Sequence, residues 1–253
     1  MVDKIRKMVL ISIVLIIMFL FVGNAYPQIE LTLSPLTIER NLKPGSKTRY
    51  EVFLMNESDK ELKINCKPID VYQNEMTGQF LPNIMGDKNV IFSCTEWITS
   101  KTENIVIEPK SSFLFEGEII VPKAVAPGSY SSMILFTIER EENERPDVEG
   151  ASTSAYIPID YYTGSVVFVQ IYPRGVANIR GNKFAEIEKF EVTESDKGLL
   201  FTAKLVNLGK NFITANGRLA ILKEGEEVRH KPFGGGLVIP GQKVDFKSYV
   251  SPP

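Results

Sequence analysis

Few residues in this chain have the types and spacing that catalysis or cofactor binding requires. His230 is the only histidine, and no serine, cysteine or metal-ligating partner accompanies it. The run Gly234–Gly236 precedes no helical pattern, so it predicts a flexible turn rather than a phosphate-binding loop. The neighbouring carboxylates Glu226 and Glu227 fall in a charged turn. We therefore expect neither an enzyme nor a bound cofactor.

The two cysteines, Cys66 and Cys94, both lie in the first half of the chain. In an oxidising compartment an isolated pair favours one disulfide, which would close a loop of roughly 27 residues and contribute about 3 kcal/mol. The alternative is two buried thiols that serve as small apolar side chains. A metal site is not expected, because the chain has no further cysteine and a single histidine. We predict the disulfide.

The N-terminus has the three parts of an export signal. Lys4, Arg6 and Lys7 form a basic region, residues 8–22 form an apolar run, and small residues ending at Ala25 fit a signal-peptidase site. The run is shorter than the roughly 18 to 20 residues that a permanent membrane span needs. We predict a signal peptide over residues 1–25 and export to the periplasm or the cell surface. Membrane attachment would follow only if the signal stayed uncleaved.

Length and charge narrow the classes of partner. Removing residues 1–25 from the 253 leaves about 228 residues, which fits two domains of immunoglobulin size. Three basic residues and one acidic residue leave with the signal, so 26 Lys+Arg remain against 30 Asp+Glu, a formal charge of −4. No basic tract is present, and we expect neither nucleic acid nor anionic lipid as the main partner.

Beyond the signal, the sequence pattern predicts β-strands. Short runs of alternating apolar and polar residues, such as 50–54 and 62–66, are separated by Pro, Gly, Asn and Asp, which is typical of sandwiches and barrels. Residues 156–172 predict one long strand, broken near Thr163 and Gly164. Trp97, the only tryptophan, is predicted to anchor the core.

One unit of sequence occurs twice. Residues 238–253 (VIPGQKVDFKSYVSPP) nearly copy residues 107–122 (IEPKSSFLFEGEIIVP), with Pro240 in the place of Pro109. The strand and turn around Asn207 likewise repeat those around Asn56. Two related β-sandwich domains explain the repeat, and we place them at residues 26–173 and 174–253.

The two copies differ in their continuation along the chain. After the first copy the chain runs into a turn and a strand, whereas the second copy ends at Pro253. By analogy, the second domain would hold about five of the usual seven strands. Two explanations are open: a truncated product or fragment, which we favour, or a domain completed by a strand from a partner. Under both, residues 175–253 alone should fold poorly.

Several stretches resemble a known family of exported domains. Residues 34–56 (SPLTIERNLKPGSKTRYEVFLMN), Trp97-Ile98, residues 107–109 and residues 121–134 (VPKAVAPGSYSSMI) are similar to PapD-like domains. These immunoglobulin-like sandwiches occur in periplasmic pilus chaperones and in related surface proteins. The resemblance covers most of the mature chain and implies an all-β fold of two tandem immunoglobulin-like β-sandwich domains.

The resemblance also implies candidate binding residues. Pilus chaperones hold a subunit by β-strand addition and anchor its C-terminal carboxylate with an arginine on the first strand and a lysine on the last. Arg40 matches the arginine, but residues 166–172 contain no lysine, so half of this clamp is missing. The alternating side chains of Val167, Val169 and Ile171 suit either strand donation or the domain core.

These features together predict a class of function. We expect a non-enzymatic, exported, protein-binding protein, a chaperone-like factor in the assembly of cell-surface or envelope structures. A structural or adhesive surface module without chaperone activity is the alternative, and an exported enzyme is the last choice. The expected partner is another protein, bound by addition of a β-strand.

Overall fold

The computed structural model describes residues 31–139, 161–172, 185–196 and 198–251. Within them, one 3-10 turn (Thr95–Trp97) accompanies sixteen strands: β1 Leu31–Ser34, β2 Thr37–Leu42, β3 Lys47–Asn56, β4 Leu62–Ile69, β5 Val71–Gln73, β6 Phe80–Pro82, β7 Ile98–Ser100, β8 Asn104–Ile107, β9 Ser112–Ile120, β10 Gly128–Ile138, β11 Tyr162–Ile171, β12 Ala185–Ser195, β13 Gly198–Asn207, β14 Ile213–Lys223, β15 Glu226–Val238 and β16 Lys243–Val250. The predicted all-β class is confirmed. No helix among these residues is long and apolar enough to cross a membrane.

The strands from β1 to β11, here called the first domain, form a sandwich of two main sheets. One sheet has the order β1-β3-β9-β7 and the other the order β2-β11-β10-β4-β8. The chain changes sheets near its start, since β1 runs antiparallel to β3 and β2 runs parallel to β11. β10 pairs with β11 over its whole length, whereas this change of sheet leaves the opposite side of β11 paired with β2 only from Val166 to Ile171.

The core of the first domain follows from period-two alternation. Along β3, Tyr50, Val52 and Leu54 are buried while the residues between them are exposed. Trp97 lies in the same core with its ring 4.6 Å from that of Tyr130, as predicted for a core anchor. The inward residues of β3 and Trp97 therefore belong to one core cluster.

Strands β10 and β11 depart from simple alternation because both of their faces are covered. Their outward side chains pack beneath a hairpin made by β5 and β6 and against residues of the later strands. The ring of Phe168 lies 5.2 Å from that of Phe80 and 5.0 Å from that of Phe212. The stretch 70–89 therefore contains a hairpin that helps to fill a second core.

The strands from β12 to β16, here called the second domain, form a three-stranded sheet of order β12-β13-β16 and a two-stranded sheet of β14 and β15. A small cluster of Ile213, Val238 and Val244 holds them together. Hydrogen bonds also join the second domain to the hairpin: Gln73 Nε2 donates to the carbonyl of Leu237 at 2.6 Å, and the amide of Ile239 donates to Gln73 Oε1 at 3.1 Å.

A buried asparagine closes the same corner in each domain. Asn56 Nδ2 donates to the carbonyls of Lys60, Ile107 and Glu108 at 2.7, 3.0 and 3.1 Å, and its Oδ1 accepts from the amide of Ser58. Both atoms of the side-chain amide are thus satisfied inside the core, as a buried polar group requires.

Asn207 makes the matching bonds in the second domain. Its Nδ2 donates to the carbonyls of Asn211 and Val238, each at 2.8 Å, and its Oδ1 accepts from the amide of Gly209. Val238 is the residue that the sequence repeat aligns with Ile107. The repeat found in the sequence is therefore present in the structure, down to its hydrogen bonds.

The proline-led turns repeat as well. Lys110 follows Pro109 with φ 53°, and Gly241 follows Pro240 with φ 75°. A proline followed by a residue of positive φ is the pattern of a type II turn, which glycine adopts without strain. In the first domain Lys110 adopts a positive φ at the position that Gly241 occupies in the second.

Some predictions meet a different structure or fall outside the described residues. Cys66 and Cys94 are free thiols buried in the first core, so the predicted disulfide is absent and the alternative of two apolar thiols describes them. β11 runs through Thr163 and Gly164 without the predicted break. The signal peptide (1–25), the domain boundary at 173/174 and the chain end at Pro253 lie outside the described residues.

Candidate strand-binding edge

One end of β11 has an unpaired edge. β2 pairs with β11 only from Val166 to Ile171, and the last bond between them runs from the amide of Val166 to the carbonyl of Leu36 at 2.9 Å. Before Leu36 the chain crosses to the other sheet, where β1 pairs with β3. Among the described residues, no strand lies beside residues 162–165 on that side.

The alternation of a strand shows which backbone groups face this opening. The amide of Val166 points toward β2, whereas the carbonyl of Tyr161 accepts from the amide of Ile138 on β10. Successive residues point to opposite sides, so the amide and carbonyl of Tyr162 and Gly164 face the same side as Val166. These two residues form the open edge. An edge of this kind is a template for pairing with another strand.

A groove lies directly beside the open edge, on the outward face of the sheet. It has a volume of about 410 Å³ and is open to solvent. Met133, Gly164 and Val166 line it from the sheet, and the β6 strand of the hairpin lines it from the opposite side. Leu36, which is 66% exposed, and Tyr162 stand at its mouth. None of the described residues that line it is charged.

Both ends of β11 are fixed in place. Ser165 Oγ donates to the carbonyl of Pro35 at 2.7 Å, which holds the start of β2 against the strand. At the other end, Gln170 Nε2 donates to Asn211 Oδ1 at 3.0 Å, a contact with the second domain. The open edge therefore belongs to a strand that is bonded to β2 and to the second domain.

The residues predicted as a binding set from the sequence are distributed differently. Val167, Val169 and Ile171 are fully buried in the first core, so their side chains would reach a partner only if the sandwich opened. Arg40 lies on β2 beside Val169, and its Nη1 donates to the carbonyl of Glu39 at 2.9 Å. The structure brings all four onto adjacent strands, with Arg40 partly exposed and the other three inside.

The open edge and its groove were not found from the sequence. Which side of a strand lacks a neighbour depends on the path of β2, and the groove depends on the hairpin, neither of which alternation reveals. One signal was available: Gly164 within an apolar run marks a close approach of another group. A Cβ atom at Gly164 would lie 2.6 Å from Met133 Sδ.

The titratable groups of the first core are held neutral. Burial raises the pKa of the Cys66 thiol to about 12 and raises the pKa of Cys94 as well. Burial also raises the pKa of Tyr50, whose hydroxyl donates to the carbonyl of Thr99 at 3.0 Å. Both thiols are therefore poor nucleophiles near neutral pH.

His230 lies exposed on the surface of the second domain. Its Nδ1 is 2.9 Å from Glu227 Oε1, and that same oxygen accepts a bond from Arg218. Among the described residues, no group of three or more His, Cys, Asp and Glu side chains is placed to hold a metal ion. The contacts of His230 are therefore those of a charged, exposed stretch of β15, a strand and not the turn that the sequence predicts for Glu226 and Glu227.

Comparisons with known proteins return similarity of structure alone. No protein-family model matches the sequence, and no curated protein matches it. Among solved structures the chain is similar to the E. coli chaperone DraB, with 12% identity over 88% of this chain and 86% of that chain and a TM-score of 0.42. It is also similar to the Salmonella enterica SafA pilin–SafB chaperone complex, with 9% identity, 88% and 85% coverage and a TM-score of 0.44.

A shorter structure also aligns. PapD-like domain 7 of human CEP192 has 10% identity over 59% of this chain and 89% of that chain, with a TM-score of 0.36. It is the one among these structures that is named as a PapD-like domain, the family that the sequence resembles.

Proposed function

We propose that this protein is an exported, non-enzymatic, chaperone-like factor that binds an extended segment of another protein and serves the assembly of a cell-surface or envelope structure. The bound protein is called the client below. The segment adds as a strand to the open edge at Tyr162 and Gly164. It continues the line of β2 along β11.

One observation carries the proposal: an unpaired strand edge on a strand that is otherwise fixed. Exposed edges are a liability that folded proteins cover or blunt with charge, bulges or proline. Residues 162–165 read YTGS and contain none of the charges or prolines that discourage pairing. Main-chain bonds to such an edge provide affinity for a client, and side-chain pockets beside it provide selectivity.

The non-enzymatic part of the proposal rests on the chemistry of the titratable groups. The buried thiols keep their protons at neutral pH, because burial raises the pKa of each. His230 is engaged by a carboxylate on an exposed strand. Export is proposed from the basic, apolar and small-residue pattern of residues 1–25.

Arg40 enters the proposal only as a secondary anchor. Its guanidinium is partly exposed on β2, beside the strand to which the client adds, so it could meet a client carboxylate. No lysine lies on β11 to complete a two-cation clamp. A single cation offsets less of the desolvation of a carboxylate than a pair does, and we assign Arg40 a minor share of affinity.

Site-specific photo-cross-linking tests the proposal in cells. A photoreactive phenylalanine analogue replaces Tyr162 in the full chain, and the matched control replaces Tyr249, which is equally exposed on the second domain (46% against 47%). The expected result is a discrete adduct with an exported protein from position 162 and none from position 249.

Two results would count against a chaperone. Equal adducts from both positions would point to non-specific contact. A protein that is released only when a purified surface structure is stripped, and that cross-links at neither position during assembly, would indicate the structural or adhesive module instead.

A further inference from the structure

We propose that the groove beside the open edge selects the client: it accepts one bulky, uncharged apolar side chain of the added strand, next to Gly164. This inference rests on the proposed strand addition and names the kind of segment that is bound. It concerns side-chain contacts in the groove, which are made in addition to the main-chain hydrogen bonds at the open edge.

The position of the groove follows from strand geometry. Side chains of directly opposed residues on paired strands lie on the same face about 5 Å apart. The missing Cβ of Gly164 points to the outward face, toward Met133. A client residue opposite Gly164 therefore projects its side chain onto that same outward face. There it meets the floor that Met133 and Val166 form.

Glycine at this position leaves room for the side chain of Met133, which forms part of the floor of the groove. A side chain on residue 164 would collide with Met133 Sδ and come within 3.1 Å of the carbonyl of Ile134. An exposed glycine on an edge strand leaves backbone and neighbouring apolar surface uncovered, and a large side chain on the next strand covers it. The client residue opposite Gly164 is the one placed to do so.

The walls of the groove set the chemistry of the preferred residue. Phe80 and Leu81 of β6 line the groove, and Leu36 lines its mouth. A charged side chain would lose hydration there and would find no counter-ion among the described residues that line the groove, since none of them is charged. An aliphatic or aromatic side chain has no charge whose hydration would be lost, and it buries apolar area against the residues that line the groove.

Two features of the hairpin make the groove a formed surface rather than a gap. Phe80 packs edge-on against Phe168, with ring centroids 5.2 Å apart, and the adjacent Pro82 is buried. Gln73, on the partner strand of the hairpin, bonds to the second domain. The β6 wall is therefore fixed from both sides before any client arrives.

The experiment uses short labelled peptides of alternating Ser and Thr that carry one central residue, either Leu, Ala or Asp. Binding to the full chain is followed by fluorescence anisotropy. The Leu peptide should bind roughly tenfold or more tightly than the Ala peptide, because a buried aliphatic side chain gains that much over a methyl group. The Asp peptide should bind more weakly than the Ala peptide.

Two variants separate the groove from the edge. Leu36→Asp adds a charge at the groove mouth and should remove the preference for Leu while leaving the Ala peptide unaffected. Tyr162→Pro removes an edge donor and should weaken all three peptides alike. Val106→Asp, an equally drastic change at an exposed position on β8, should alter none of them.

The outcomes are distinguishable. Peptides that bind and respond to Tyr162→Pro, but with equal affinity whatever the central residue, would overturn the groove proposal and leave strand addition standing. If no peptide binds, or if Tyr162→Pro changes nothing, then strand addition fails and the groove proposal fails with it.

Discussion

The two domains share a corner and differ in what covers their inner faces. Asn56 and Asn207 make equivalent hydrogen bonds, and each bonds to a carbonyl that lies two residues before the proline of a turn. The strand that pairs with each corner differs, however. In the first domain Leu33 pairs with Leu54, two residues before Asn56, and is 7% exposed. In the second domain Ile187 pairs with Leu205, two residues before Asn207, and is 61% exposed. One set of local interactions thus gives a closed core in one place and an open face in the other.

The difference shows which parts of the sandwich are locally determined. The corner needs one asparagine and the carbonyls of two neighbouring segments, and both domains contain these. The cover of the inner face needs further strands: in the first domain, β10 and β11 supply Ile134, Phe136 and Val167. Among the described residues the second domain has no counterparts of these strands. Closure is therefore a property of the strand set, not of the corner.

The largest expected effect is in the closed core. Phe115 is fully buried, so Phe115→Ala should lower the free energy of unfolding of the first domain by about 4 kcal/mol. The repeat places Phe246 at the same position, but it is only half-buried, and Phe246→Ala should cost about half as much. Urea unfolding followed by Trp97 fluorescence and by circular dichroism measures the two losses. Equal losses would mean that the second core is as closed as the first.

The shared corner should give the next largest effect. Asn56→Ala leaves several buried carbonyls without a donor and should cost about 3 kcal/mol. Asn207 has fewer bonds, so Asn207→Ala should cost about 2 kcal/mol. Asn104→Ala, which removes an exposed amide–amide bond, is the control and should cost under about 0.5 kcal/mol. A corner that tolerates either core substitution would break the equivalence of the two domains.

The first strands of the two domains give the sharpest contrast for the open face. Leu33→Ala should cost about 2 kcal/mol, because it removes buried methyl groups. Ile187→Ala should change the free energy of unfolding by less than about 0.5 kcal/mol, because that side chain is already mostly in water. The comparison is again made by urea unfolding. A cost at Ile187 close to that at Leu33 would show that something covers this face in solution.

The last contrast is a difference in response to alkaline pH. Burial raises the pKa of Cys66 from an ordinary value near 9 to about 12, so the folded state holds this proton more strongly than the unfolded state. Its contribution to stability is complete below pH 9 and is lost as the pH rises toward 12. The described part of the second domain contains no cysteine.

Stability curves at rising pH should therefore show a loss in the first domain that Cys66→Val reduces. A variant with an unchanged alkaline profile would contradict a buried, neutral thiol at this position. Labelling of the native protein with a thiol reagent gives a second readout, since both cysteines should react only after unfolding.

The sequence predicted the parts of this fold that depend on neighbours along the chain. Alternation predicted strands such as β3, and the repeated Asn and Pro positions predicted the common corner. The inward placement of Val167 was one of the two roles that its alternation allowed. These features are set by short stretches whose side chains choose a face by period two.

The rest depended on contacts between distant segments. Residues 70–89 lack clear alternation because the hairpin is buried by β11 on one side and by the second domain on the other. The open edge at Gly164 exists because β2 meets β11 only from Val166 onward. An isolated pair of cysteines favours a disulfide, but Cys66 and Cys94 can equally be buried in a shared core as two free thiols.

Residue-resolved hydrogen exchange at β11 tests the central claim most directly. In the free protein, the amides of Tyr162 and Gly164 should exchange rapidly, while those of Thr163 and Ser165, which face β10, should be protected. The same measurement is then repeated with a purified segment of the client that cross-links at position 162. The amides of Tyr162 and Gly164 should become protected, and those of Thr163 and Ser165 should not change. Amides of Tyr162 and Gly164 that are protected without a client, or that stay exposed with one, would contradict strand addition at this edge.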